Sequence, residues 1–184
     1  MPKRPLIHLI IFGFIISLPI SLVLAADKSS SSNLSPADQN FVKEAAVGGM
    51  MEVELGKIAA DKATNDKVKA FGRQMQEDHG KAAEELKTLA SSKAVQVPTA
   101  LAGKQKKTVD RLSKLSGPEF DRQYIRAMIE DHKADLKAFQ REAEKGKDTD
   151  IKQFASKYVP MIKNHLEMAQ STAEQLKVSS KQTR

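Results

Sequence analysis

Phe71–His79 reads FGRQMQEDH and Tyr124–His132 reads YIRAMIEDH, so an aromatic, an arginine, a methionine, a glutamate, an aspartate and a histidine recur in the same order. A looser third copy, MIKNH, spans Met161–His165. In each copy a methionine stands four residues before a histidine, which on an α-helix sets both side chains on one face, a turn apart. His79, His132 and His165 are three of the four histidines, and the fourth, His8, lies in a leader expected to be removed. The pattern therefore predicts three helices, each carrying a histidine on its inner face.

Working outward, apolar residues keep helical spacing around each copy. Val68, Phe71, Met75, His79, Ala82, Leu86 and Leu89 form one stripe, on a helix expected over about residues 66–91. Ile125, Met128, Ile129, His132, Leu136 and Phe139 form another, on a helix opened by Gly117 and Pro118 and closed near Gly146, where a left-handed cap is expected. Ile151, Phe154, Tyr158, Met161, Ile162, His165, Ala169 and Thr172 form a third, capped by Asp148. Upstream, Ser35, Pro36 and Asp38 signal the start of a helix running to about Lys62. Its inner stripe is Phe41, Ala45, Gly48, Glu52, Leu55 and Ala59, and Gly48, Gly49, Gly56 and Ala59 predict close approach of another helix backbone.

Tight turns near Thr64–Asp66 and Gly146–Asp148 make two antiparallel hairpins. The stretch between them, 92–117, is interrupted by Pro98 and Gly103, with a short helical piece expected between Lys104 and Leu115. A connector that long can cross the length of a bundle, so the expected fold is all-α: a four-helix bundle of ferritin-like type with a long crossover between its second and third long helices. The expected organisation is a signal peptide at 1–25, a flexible serine-rich leader at 26–34, the bundle at 35–177 and a polar tail at 178–184.

The leader follows from Lys3 and Arg4, the apolar run Leu6–Leu24 and the small-residue end Val23-Leu24-Ala25. It predicts a periplasmic or secreted protein, with an uncleaved inner-membrane anchor as the alternative. Cysteine is absent from the 184 residues, which excludes disulfides and a lipid-modified cysteine. Without Lys3 and Arg4, the 30 basic residues become 28 against 23 acidic ones, about +5, spread along all helices with no aromatic interleaving. Nucleic acid is therefore not an expected partner, and the membrane is one only through a retained leader.

The predicted helix midpoints fall near residues 49, 78, 131 and 163, which puts Glu52, His79, His132 and His165 within roughly 5 Å of one height along the bundle. Buried ionisable groups must be bonded to one another, to water or to an ion. Three imidazoles and a carboxylate suit one divalent ion, zinc, iron or manganese, and the neighbouring methionines make copper a lesser candidate. Glu54 rivals Glu52, because Met50 precedes it by four as the other methionines precede the histidines. Asp78 and Asp131, each just before a histidine, are candidate outer hydrogen-bond acceptors for the rings of the site.

These same residues carry a resemblance. EVELGKIA from Glu52, FGRQMQEDH from Phe71, LSGPEFDRQYI from Leu115, the Glu-Asp-His at His132 and VPMIKNH from Val159 resemble a bacterial family known as domain of unknown function 4142, grouped with the ferritin-like superfamily. The resemblance covers nearly all of Ser35–Leu176. It implies a ferritin-like bundle and a cell-envelope address, and it brings no activity. Di-iron members of that superfamily carry Glu-x-x-His on two helices, whereas here Gln76, Ile129 and Ile162 stand three places before the histidines. One ion is therefore expected rather than two. The expected function is metal handling or redox chemistry at that ion; the alternative is a metal-free envelope interaction or stress-related bundle with a buried His/Glu hydrogen-bond network.

Overall fold

A computed structural model describes residues 33–178, which are all-α with no strand among them. The helices are α1 (Pro36–Lys62), α2 (Asp66–Ser92), α3 (Gly103–Ser113), α4 (Gly117–Lys145) and α5 (Thr149–Gln175). The expected signal peptide, the serine-rich leader before residue 33 and the tail after 178 lie outside the described residues. No helix among the described residues is long and apolar enough to cross a membrane.

Local chemistry sets the helix starts. The Ser35 hydroxyl accepts from Asp38 N at 3.2 Å, Asn65 Oδ1 accepts from Lys67 N at 2.9 Å, and Asp148 Oδ1 accepts from Asp150 N and Ile151 N at 3.0 and 3.1 Å. α5 continues unbroken through Pro160. Gly117 does open α4, in the left-handed region at φ +61°. Gly146, expected to cap α4 in that same conformation, has φ −54°. Its small size serves a close approach instead: a Cβ there would lie 2.6 Å from Glu142 Oε1 and 2.9 Å from Lys152 Cγ.

The four long helices pack as two hairpins, α1 on α2 and α4 on α5, with α1 also against α4 and α2 also against α5. Hydrogen bonds at both ends show that these cross-pairs are antiparallel. Asp121, in the first turns of α4, accepts from Thr64 N, Thr64 Oγ1 and Asn65 N at 3.1, 2.6 and 2.9 Å, which ties it to the α1–α2 turn. Asp38, at the start of α1, accepts from Lys147 N and Asp148 N at 3.1 and 3.0 Å, which ties it to the α4–α5 turn. Both aspartates are buried. The same device, a carboxylate near a helix start receiving the amides of the opposite hairpin's turn, thus fixes the axial register of α1 against α4 from both ends.

Lys93, at the end of α2, bonds Asp148 and Asp150 at the start of α5, so the chain leaves α2 at one end of the bundle and must enter α4 at the other. The connector makes this traverse. α3 lies along it, packing Val109 and Leu112 into the core while Lys62 Nζ donates to Ser113 O at 2.6 Å.

Of the glycines expected to admit a neighbouring backbone, Gly56 does so. It meets Gly72 of α2: a Cβ on Gly56 would lie 2.7 Å from Gly72 O, and one on Gly72 would lie 2.8 Å from Gly56 O and 2.7 Å from the Ala59 methyl carbon. Gly48 and Gly49 do not face such a contact; a Cβ on Gly49 would meet nothing within 4 Å.

The buried apolar residues form two clusters. One contains Met51, Leu55, Phe71, Met75, Tyr124 and Met128, the other Phe41, Val42, Leu86, Ile151, Phe154 and Ile162. Between them lies a layer of buried polar side chains.

At the Asp38 end, Glu142 is also buried and shares a hydrogen bond with Asp38, while its Oε1 has no partner. Burial first, then the Asp38 charge and hydrogen bond, push the Glu142 carboxyl up to about 7 against the opposing pull of Arg141 and Lys152. For Asp38 burial acts upward, but the amides of Lys147 and Asp148 outweigh it and hold that carboxyl low. Glu142 therefore keeps its proton when folded and loses it when unfolded over a window from about pH 4.5 to 7. Across that window the native state binds more protons, so this group's stability contribution is present below about pH 4.5 and is lost as pH rises through 7. In Glu142→Gln, whose amide donates at every pH, stability relative to wild type should rise by about 2 kcal/mol between pH 5 and pH 8. Urea unfolding at both pH values checks this, and parallel curves for the two proteins would contradict it.

Candidate metal centre

The polar layer holds all four residues expected of it. Glu52 on α1, His79 on α2, His132 on α4 and His165 on α5 are each 5% exposed or less. Glu54 is exposed, so the helical stripe and not the methionine spacing identified the inward carboxylate. The three imidazole rings form a nearly equilateral triangle, with centroids 5.4, 5.2 and 5.5 Å apart.

Each ring uses one nitrogen outward. His132 Nδ1 lies 3.0 Å from Met128 O, a carbonyl that can only accept, so this nitrogen carries the proton. His165 Nε2 lies 2.9 Å from Asp78 Oδ2 and His79 Nδ1 lies 2.8 Å from Glu52 Oε2. The remaining nitrogens are His79 Nε2, His132 Nε2 and His165 Nδ1, and the three rings bring one nitrogen each within 4.8 Å of one another. His79 Nε2 and His165 Nδ1 are 3.2 Å apart. Two nitrogens bound at 2.0–2.1 Å to one tetrahedral ion would lie about 3.3 Å apart.

Glu52 Oε1 faces the same space, 3.5 Å from His132 Nε2. Among the described residues five buried side-chain polar atoms have no hydrogen-bond partner, and three of them, Glu52 Oε1, Asp131 Oδ2 and His132 Nε2, belong to residues that bring one ligand atom each within 4.8 Å of one another at this centre. Orphaned buried polar groups are rare in folded proteins, and three converging orphans mark a place for an electrophile.

Electrostatics make the pocket hold neutral forms. Burial lowers His79 to about 4 and His132 to about 3, in the second case with help from the neighbouring imidazoles. His165 is lowered by burial against the pull of Asp78. Burial raises Glu52, Asp131 and Asp135 far above the ordinary carboxylate range. Neutral imidazoles are the metal-binding form.

Asp78 accepts from a ring, as the sequence suggested, whereas Asp131, its counterpart in the second copy, does not. Met128 enters through its backbone carbonyl; its side chain and that of Met75 pack in the apolar core. Two participants escaped the sequence reading. Asp135 hydrogen-bonds Glu52, and its place four residues after Asp131 was the signal that could have found it. Tyr124, the aromatic that opens the second copy, is buried with an unpartnered hydroxyl, held up by burial and by the Glu52 charge. A cavity of about 30 Å³, bordered by Gly49, Glu52, His79, Asp135 and Tyr158, adjoins the carboxylate side and has room for a water molecule.

Comparison with known proteins follows the same lines. Residues 23–172 match the family described as Domain of unknown function (DUF4142). None of the curated proteins matches the chain. Among solved structures, a DUF305 fragment from Deinococcus radiodurans is similar at TM-score 0.68 and 12% identity, covering 77% of this chain and 98% of that one. A DUF305 protein from Streptomyces coelicolor, described as secreted, is similar at TM-score 0.69 and 14% identity, covering 80% and 97%. At these identities the likeness concerns the helical fold. The chain belongs to the DUF4142 family.

Proposed function

We propose that this DUF4142 member is a periplasmic or secreted bundle of ferritin-like type that binds one divalent metal ion between its four long helices. His79, His132 and His165 would hold the ion and Glu52 would balance its charge, for a metal-handling or redox role. The envelope address is supported by the leader sequence and by the description of the Streptomyces protein. Iron, manganese and zinc suit the imidazole and carboxylate donors, copper less so.

The observation that carries this reading is His132 Nε2. Its ring proton is fixed on Nδ1 by the Met128 carbonyl, so Nε2 offers a lone pair to a buried space with no donor. An ion there would also relieve the facing lone pairs of His79 and His165. The Glu52, Asp78 and Met128 contacts would hold each ring in the tautomer that ligation requires.

A second reading is favoured by the continuous chain Asp78, His165, His79, Glu52. If Glu52 is protonated and donates to His79 Nδ1, then His79 Nε2 donates to His165 Nδ1 and the chain satisfies itself without an ion, as a buried network in an interaction or stress-related bundle. That arrangement leaves His132 Nε2 unpaired. Untagged protein should therefore purify with near-stoichiometric metal by mass spectrometry, and His132→Ala should lose it. A metal-free protein whose melting is unmoved by added zinc, manganese or iron would favour the network.

A further inference from the structure

The two Glu-Asp-His copies are used differently, and the difference concerns an oxygen. In the first copy Asp78 faces the His165 ring and holds its proton at 2.9 Å. In the second, the corresponding Asp131 bonds no imidazole: its Oδ2 is buried and has no partner, and one of its carboxylate oxygens lies within 4.8 Å of a ligand atom of Glu52 and of His132. Glu52 is 1% and His132 0% exposed, and each aims its own unpartnered atom into the same space. The three-histidine group and this second group share His132.

Resting on the one-ion reading above, we propose that Asp131 is an oxygen ligand of that ion and the residue that sets its preference among metals. With three neutral imidazoles, Glu52 alone leaves a dication with one uncompensated positive charge in a buried site. Asp131 supplies the second negative charge and a hard donor. Three imidazole nitrogens suffice for zinc, which readily completes four-coordination with water. Manganese(II) stands at the weak end of the series for nitrogen donors and favours carboxylate oxygen, so it depends on the oxygens of the set. A centre with Glu52 and Asp131 on one side and three histidines on the other is thereby tuned toward manganese(II) or iron(II).

The test titrates the untagged protein and Asp131→Asn, which keeps the side chain's shape, with Mn(II), followed by the resonance of the free ion, and with Zn(II) by competition with a chelating dye. Circular dichroism verifies that both are folded. Asp131→Asn should weaken Mn(II) by roughly tenfold or more and Zn(II) by distinctly less, since both lose the charge but only Mn(II) depends on the oxygen donor. In the Co(II)-loaded proteins the visible bands should intensify in Asp131→Asn, as coordination falls toward four. An unchanged Mn(II) affinity, or an equal loss for both ions, would overturn the role of Asp131 while leaving the three-histidine site standing. A wild-type protein that takes up neither ion, or does so equally well as His132→Ala, would remove that site and this inference with it.

Discussion

Gly72→Ala is expected to destabilise the protein by about 3 kcal/mol or more, with a fall in melting temperature of roughly 10 °C. The added methyl carbon would stand 2.7 Å from the Ala59 methyl carbon, 2.8 Å from Gly56 O and 2.9 Å from Ala60 N. Two of the three obstacles are helix backbone, which cannot rotate away as a side chain would, so α1 and α2 must separate along their crossing. Separation also loosens Glu52 from His79, so the variant should bind metal more weakly as well. The control is the same substitution at Gly80, one residue past His79 on α2, where a Cβ meets nothing within 4 Å. Gly80→Ala should stabilise by up to about 1 kcal/mol, because alanine is the better helix former. Thermal unfolding of the pair decides the matter: shifts of the same sign would refute the backbone-contact account.

The second large effect is expected from Asp121. Asp121→Ala removes the acceptor of two backbone N–H groups and one hydroxyl in the α1–α2 turn, bonds that are partly buried at the start of α4. Charge-assisted bonds of this kind contribute about 1.5–3 kcal/mol each, a loss offset in part where the freed donors of the exposed Thr64 bond water. A net loss of about 3 kcal/mol is expected, with Asp121→Asn intermediate because it keeps one acceptor oxygen. Asp38→Ala should act similarly at the other end of the bundle, about 40 Å away at 1.5 Å per residue over the length of α1. At that separation the two losses should add to within about 0.5 kcal/mol. Chemical denaturation of the single and double variants measures this. A double variant no worse than either single one would mean that the two turns report one event, not two independent ties.

These aspartates also show where the sequence stopped being informative. An acidic residue near the start of a helix is ordinary, since it favours the positive end of the helix dipole. Nothing in Asp38 or Asp121 announces that its carboxylate reaches the opposite hairpin. The glycines teach the same lesson: composition marked the Gly48–Gly56 stretch as a place of close approach, but only packing reveals that Gly56 is the residue concerned and that its partner is Gly72. Gly146 was assigned the conformational role glycine often has at a helix end, whereas here the need is for space beside Glu142 and Lys152.

The sequence by itself determined that the chain is helical, where the four long helices begin and end, and that His79, His132 and His165 face inward at one height with a glutamate of α1, Glu52 or Glu54. Helical periodicity is a local property, and a polar residue within an apolar stripe is visible without knowing its neighbours. Only the tertiary structure decided which nitrogen of each imidazole is turned outward, that Asp78 serves a ring while Asp131 Oδ2 is left without a hydrogen-bond partner, and that Asp135 lies against Glu52. Those distinctions depend on the axial register and rotation of one helix against another. Over distances of an ångström or two they are fixed by the Asp38 and Asp121 ties and by the Gly56–Gly72 crossing, contacts between residues that no local pattern pairs.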